Sequence, residues 1–222
     1  MSKGFWGVIV AIVLVFVGIY FVNSGKSDTG SKASSTGAAT NHTLGKGTSG
    51  VTLLEFGDYQ CPACAQYQPI VKQIVAKYGD TIKFQFSNFP LTSIHPNAFA
   101  AARAAEAAGK QNKFWEMHDA LYETQSQWAP STDATPVFDQ FAKQLGLDAA
   151  KFKKDYASSE VNSSINADMA KGSELKVTGT PAFFINGKSV DVKPTVDSLS
   201  KVIDEAIAKN ASTSKSTTPA KQ

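Results

Sequence analysis

Cys61 and Cys64 are the only cysteines among 222 residues, and they fall where a strand pattern ends and a helix pattern begins. Val51-Thr52-Leu53-Leu54-Glu55-Phe56 is a short, largely apolar run closed by Gly57-Asp58, which reads as a buried strand. A helical pattern follows from Pro62 to Tyr78 and stops at Gly79-Asp80. Proline suits the first turn, where its missing N–H has no helical partner to lose. Thr81 to Phe86 then alternates, with Ile82, Phe84 and Phe86 on one face and Lys83 and Gln85 on the other, as a second strand. Strand, helix and strand in this order predict a βαβ unit with a parallel pair.

From His95 to about Lys176 the pattern is helical. An alanine-rich segment, Ala98 to Ala108, stops at Gly109; Lys113 to Glu123 places Phe114, Met117 and Leu121 on one face. Pro136 opens a third helix with Val137, Phe138, Phe141 and Leu145 on one side, and Asp148 to Tyr156 and Val161 to Leu175 supply two more. These aromatic and Met stripes are core packing. Strand character returns in Ala182-Phe183-Phe184-Ile185, and Asn186-Gly187 is a two-residue hairpin signal leading into Lys188-Ser189-Val190. Thr195 to about Lys209 is a final amphipathic helix. The fold class is therefore α/β: a mixed sheet with helices on both faces and a helical insertion at about 90–177.

Two cysteines three apart enclose so small a loop that a disulfide between them restrains the unfolded chain very little, which points to reactivity rather than stability. A thiol at the start of a helix faces unpaired N–H groups and the positive end of the helix dipole, both of which favour the thiolate. Cys61 holds that position and is assigned as nucleophile; Cys64, one turn on, is placed to attack a mixed disulfide on Cys61 and release the substrate. An inert bridge or half of a zinc site are the competing readings. Zinc needs about four ligands, and the chain adds only His42, His95 and His118, with no second cysteine pair. Gly179-Thr180-Pro181 precedes a strand, where a proline is tolerated at the first residue. His95, just before Pro96, reads as a helix-start residue, and Asp58 as a solvent-facing acid near the cysteines.

The stretches Glu55-Phe56-Gly57-Asp58-Tyr59-Gln60-Cys61-Pro62-Ala63-Cys64 and Gly179-Thr180-Pro181-Ala182-Phe183-Phe184-Ile185-Asn186-Gly187 closely resemble the DsbA-like thiol-disulfide oxidoreductases. The chain is most similar to their membrane-tethered, BdbD-like branch, as are Phe89-Pro90-Leu91, His95-Pro96-Asn97-Ala98 and Lys113 to Asp119 within the helical block. The resemblance covers roughly residues 45–207. It implies a thioredoxin-like fold, a cis Thr180–Pro181 bond against the active-site disulfide, and Thr180 and Pro181 presented to substrate beside Pro62 and Ala63. It also implies that Glu55 is a buried acid able to relay a proton to or from Cys64. The redox-active Cys61–Cys64 disulfide would need no separate cofactor. The Pro62-Ala63 dipeptide replaces the Pro-His of many strongly oxidising relatives, and Thr180 is also found in reducing and isomerising ones.

Phe5 to Val22 is an unbroken apolar run without charge. Eighteen residues of helix span about 27 Å, close to the hydrocarbon thickness of a bilayer. A single N-terminal transmembrane helix within residues 1–22 is expected. A flexible Ser/Gly/Thr-rich linker over 23–47, the folded domain over 48–210 and a disordered tail over 211–222 are expected to follow. A cleaved signal peptide is the competing reading, although its apolar core is usually shorter, roughly 7–15 residues, and no clear small-x-small site follows Val22. The chain carries a net charge of +3, but residues 51–210 hold 16 Lys and Arg against 18 Asp and Glu, so no basic surface for nucleic acid exists. These features predict a single-pass membrane protein with its catalytic domain on the extracytoplasmic side. It would oxidise thiols of exported proteins and be re-oxidised by a DsbB-like membrane partner. A monomer is expected, since no separate dimerisation domain is present. A reductase or isomerase on the same fold, and a tethered chaperone-like module gripping unfolded chains beside Pro181, are the alternatives.

Overall fold

A computed structural model describes residues 37–216. The expected membrane-spanning run Phe5–Val22 lies outside the described residues, and among those described no helix is long and apolar enough to cross a membrane. The elements in chain order are β1 (His42–Leu44), β2 (Val51–Gly57), α1 (Pro62–Tyr78) and β3 (Ile82–Asn88). Six helices follow: α2 (Ala98–Gly109), α3 (Phe114–Glu123), α4 (Gln125–Trp128), α5 (Thr135–Gln144), α6 (Ala149–Tyr156) and α7 (Ser159–Glu174). The chain then closes with β4 (Ala182–Ile185), β5 (Lys188–Val190) and α8 (Val196–Ser216).

The five strands form one sheet in the order β1-β3-β2-β4-β5. β2 and β3 are parallel, as the βαβ pattern requires, with Leu53 opposite Phe84 and Glu55 opposite Phe86. β4 lies antiparallel on the other edge of β2 and places Phe183 opposite Glu55. The β4–β5 hairpin turns through Asn186 and Gly187, at φ 48° and 77°. That is the pair of left-handed residues a two-residue turn needs. The Asn186 side chain also accepts a bond from Thr52 N–H at 2.8 Å, tying the turn to the start of β2.

Because side chains alternate along a strand, β2 feeds two cores. Val51 and Leu53 join Phe84, Phe86, Phe183 and Ile185 beneath α1, α3 and α8. Leu54 and Phe56 face the other way, with Phe184, Phe89 and Val177, beneath the end of α7. Gly172 of α7 makes this second contact possible, since a Cβ there would come within 2.6 Å of the Phe89 ring. Helices α6 and α7 start at side-chain caps: Asp148 accepts from Lys151 N–H and Ser158 from Val161 N–H.

The two low-complexity ends read differently from the sequence. Residues 37–47 of the expected linker are bound to the domain. His42 to Leu44 pair antiparallel with Phe86 to Phe84, and the buried Asp168 carboxylate accepts from Thr40 N–H (2.7 Å) and Thr40 Oγ1 (2.6 Å). His42 stacks flat on Phe114 at 3.4 Å and bonds Glu106 at 2.9 Å. Composition missed this arm because polar bonds and one edge strand hold it, with few large apolar residues of its own. At the other end, α8 continues through Ala211 to Ser216, into the stretch expected to be disordered. Asn210, Ser212, Thr213 and Ser214 are poor helix formers, so this end is an extension of a helix already nucleated on the core, where each added residue costs no new nucleus.

Asp168 also accepts from Asn88 N–H at 2.9 Å. Asp168→Ala would strand buried donors from both the arm and β3. The expected loss is about 2 kcal/mol of stability, seen as a lower urea midpoint with unchanged slope.

Candidate active site

β2 ends at Gly57 and delivers the chain to the start of α1. The end of the strand is crowded: a Cβ on Gly57 would lie 2.3 Å from the Phe86 ring and 2.9 Å from the Tyr122 hydroxyl. Cys61 is the N-cap residue of α1, in extended conformation (φ −71°, ψ 120°), and Pro62 takes the first helical position. Cys61 is 7% exposed, Cys64 is fully buried, and both thiols are free. Pro62 is exposed and Ala63 half-buried beside them.

The Thr180–Pro181 bond is cis. The Thr180 carbonyl lies 3.3 Å from Cys61 Sγ, where it accepts the hydrogen bond of the protonated thiol. Two segments separated by more than a hundred residues therefore meet at one sulfur.

The two thiols are driven in opposite directions. The Cys64 thiol beside it is the largest influence lowering Cys61. Thr180 and the Cys64 and Ala63 main-chain groups help, against the opposing effect of burial, and the Cys61 pKa falls from 9.0 to about 5. Cys64 is pushed well above 9.0, first by burial, then by its bond to Cys61 and by the nearby Glu55. At neutral pH the reduced pair holds a thiolate on the nearly buried Cys61 and a protonated thiol on Cys64 behind it.

Glu55 is 3% exposed, on the same sheet face as Leu53, with phenylalanines across from it on both neighbouring strands. Burial first, and the Cys61 charge second, raise its pKa from 4.5 to about 8. A carboxyl in this position is protonated at neutral pH and able to exchange that proton close to the cysteines.

A family model described as Thioredoxin matches residues 37–205. The chain belongs to the thioredoxin family. The probable disulfide bond formation protein D of Bacillus anthracis is 30% identical over 211 residues, covering 91% of this chain and 95% of that protein. The Na(+)/H(+) antiporter NhaA 1 of Salinispora arenicola is 34% identical over 168 residues, covering 76% of this chain. The chain spans only about a quarter (25%) of that antiporter's length. Oxidised BdbD from Bacillus subtilis has the same fold, with a TM-score of 0.67 at 24% identity over 78% of this chain and 97% of that one. The resemblance to DsbA-like proteins of the BdbD branch, first carried by the motifs around Cys61 and Thr180, thus extends over nearly the whole chain.

Asp58 and His95 differ from their sequence reading. Asp58 is buried, 1% exposed, rather than solvent-facing. Its carboxylate accepts from Gln60 N–H (2.7 Å), Leu91 N–H (2.9 Å) and His95 Nδ1 (2.7 Å). His95 is therefore held by that carboxylate and does not cap α2. One side chain ties the turn leading into Cys61 to the loop after β3. Gln125, in the short α4 that the periodicity did not reveal, completes the support. Its Nε2 donates to the carbonyls of Tyr59 (2.8 Å) and Cys61 (3.0 Å). Asp58 lies three residues before Cys61, a position that could have flagged it. Nothing local marks Gln125, whose partners are more than sixty residues away.

Two pH-dependent outcomes follow from these shifts. Alkylation of Cys61 in the reduced protein is expected to switch on with a midpoint at about pH 5; a midpoint at the ordinary thiol value would contradict the geometry. For Glu55 the folded pKa lies above the unfolded one. Its contribution to stability is fully present below pH 4.5 and is lost as pH rises toward about 8. Glu55→Gln removes that loss and should stabilise the reduced protein by roughly 3 kcal/mol at pH 7, with no gain below pH 4.5, as read by urea unfolding across pH.

Proposed function

We propose that this chain is an extracytoplasmic thiol-disulfide oxidoreductase that oxidises the thiols of exported proteins through a Cys61–Cys64 disulfide. The observation that carries the reading is the opposite poise of the two sulfurs: Cys61 lowered to about 5 and Cys64 raised well above 9.0. Stabilising the thiolate of the reduced form makes the disulfide form a better oxidant, the same logic by which DsbA is strongly oxidising.

In the forward reaction a substrate thiolate attacks Cys61 Sγ of the disulfide. The Cys61–Cys64 bond breaks, a mixed disulfide forms on Cys61, and Cys64 leaves as a thiolate and takes a proton. A second substrate thiolate then attacks the substrate sulfur of the mixed disulfide, and Cys61 leaves as a thiolate. The substrate departs with a new disulfide, and the protein has gained two electrons. Cys61 is the better leaving group because its thiolate is the more stable one. Glu55, behind the pair, is placed to exchange a proton with Cys64. Thr180 and Pro181, with Pro62 and Ala63, form the surface that meets substrate around Cys61.

A membrane partner of DsbB type would take the two electrons and restore the disulfide, and the Phe5–Val22 run would hold the domain at that membrane. The near end-to-end match with disulfide bond formation protein D supports this reading. The apolar run itself supports the location.

The test is the equilibrium redox potential of the Cys61–Cys64 pair against glutathione. A value toward −120 mV, that of DsbA, is expected; a value near −270 mV, that of thioredoxin, would reverse the direction and make the protein a reductase. Cys61→Ser should abolish oxidation of a reduced, unfolded protein substrate, whereas Cys64→Ser should accumulate a mixed disulfide when its Cys61 thiolate attacks a substrate that already carries a disulfide.

A further inference from the structure

When the Cys61–Cys64 disulfide opens, the electron pair of the broken bond goes to Cys64, the less able of the two sulfurs to hold it. Cys64 is fully buried, and burial, the Cys61 sulfur and the Glu55 carboxyl all oppose a charge there. One main-chain group acts the other way: the N–H of Asp58 donates to Cys64 Sγ. A donor fixed beside a sulfur that gains charge is the sulfur counterpart of an oxyanion hole. Such a donor is effective only if its direction is set before the bond breaks.

That direction is set from one loop. The peptide unit that carries the Asp58 N–H has the Gly57 carbonyl on its opposite side, and Phe89 N–H donates to that carbonyl at 2.8 Å. The Phe86 ring leaves no room for a side chain at Gly57, and a glycine restrains the peptide beyond it weakly. The Asp58 carboxylate supplies the missing restraint. One oxygen accepts from Leu91 N–H at 2.9 Å and His95 Nδ1 at 2.7 Å, and the other from Gln60 N–H at 2.7 Å. Phe89, Leu91 and His95 lie in the single loop after β3, which is itself closed by bonds from Ile94 and His95 N–H to the Leu91 carbonyl, at 3.0 and 2.9 Å. The Asp58 carbonyl in turn accepts from Cys61 N–H at 3.1 Å. One residue thus meets both cysteines through its main chain and is locked through its side chain.

We propose that the Asp58 main-chain N–H is the donor that stabilises Cys64 as it leaves as a thiolate, and that the Asp58 carboxylate, held by His95 and the Phe89–His95 loop, positions that donor. The inference deepens the thiol-disulfide reading and rests on it. The attacking thiolate bonds to Cys61 Sγ, the Cys61–Cys64 bond breaks, and the electron pair stays on Cys64. The sulfur then accepts the Asp58 hydrogen bond until it takes up a proton. In the closing direction the same bond holds the Cys64 thiolate for its attack on a mixed disulfide at Cys61. The amide proton stays on its nitrogen throughout. Asp58 and His95 are positioning residues: their side chains act through the peptide group and not on the sulfur.

The oxidised full-length chain provides the test. Reduced glutathione opens the disulfide, and acid quenching followed by alkylation counts the freed Cys64 by mass, which gives the rate of the step in which Cys64 leaves. Asp58→Ala is expected to slow opening about tenfold, the fold-change of losing a hydrogen bond to a charged group. The alkylation midpoint of Cys61 in the reduced protein should not move. His95→Ala keeps the carboxylate and its bonds from Gln60 and Leu91, and should slow opening about threefold. This second variant decides the matter if Asp58→Ala does not fold. Both variants lose stability whatever Asp58 does for the sulfur, so stability is not the readout. Opening as fast as in the parent would overturn the proposal. So would faster opening, which would mean that a loosened turn merely exposes the disulfide, or a shifted Cys61 midpoint, which would mean that the whole turn had moved. Opening by glutathione is the same step whichever way electrons flow with protein substrates. A thioredoxin-like redox potential with slowed opening would therefore refute the oxidase reading and leave the Asp58 donor standing.

Discussion

The arrangement depends on β2 being paired on both edges and buried on both faces. Its parallel bond ladder to β3 and antiparallel ladder to β4 leave it no freedom to slide. A one-residue slip would send Leu53 and Glu55 to the opposite core. That fixed strand sets where the chain emerges at Gly57, and so where α1 begins and its N-terminal N–H groups point. The same pairing with β4 brings Ala182 beside Phe56, which carries Thr180 and Pro181 to the cysteine. The reactivity of Cys61 is a property of this register as much as of the thiol.

Much of this was legible in the chain. The βαβ unit, the Asn186-Gly187 hairpin and the five longer helices of the insertion each announce themselves through apolar periodicity and turn chemistry. Those signals are local and repeat within a few residues. The Cys61–Cys64 pair was legible for the same reason: strand, cysteine, proline and helix are consecutive. Glu55 stood out because a carboxyl inside Leu-Leu-Glu-Phe is costly to bury.

What stayed hidden was held by polar contacts between distant segments. Thr40 and His42 sit in a stretch whose composition reads as linker, yet Asp168 and Glu106 fix them to the helical block. Asp58 looked like a surface acid because its three donors, on Gln60, Leu91 and His95, converge only once β3 has returned beside β2. Such bonds leave no periodic trace. The apolar run Phe5–Val22, expected from the sequence to span a membrane, lies outside the described residues.

Gln125 shows how the insertion and the thioredoxin-like part are joined. A single amide spans from α4 to two carbonyls of the turn that carries Cys61. The second carbonyl, that of Cys61, also accepts from Ala65 N–H at 3.2 Å. A tilt of the insertion cannot occur without pulling on the peptide groups that orient this sulfur. The insertion is thus geared to Cys61, and changes in its far packing, at Trp128 or Phe138, would be transmitted as small rotations at that sulfur. Repacking this lever would re-aim the sulfur while leaving both cysteines and the residues between them unaltered.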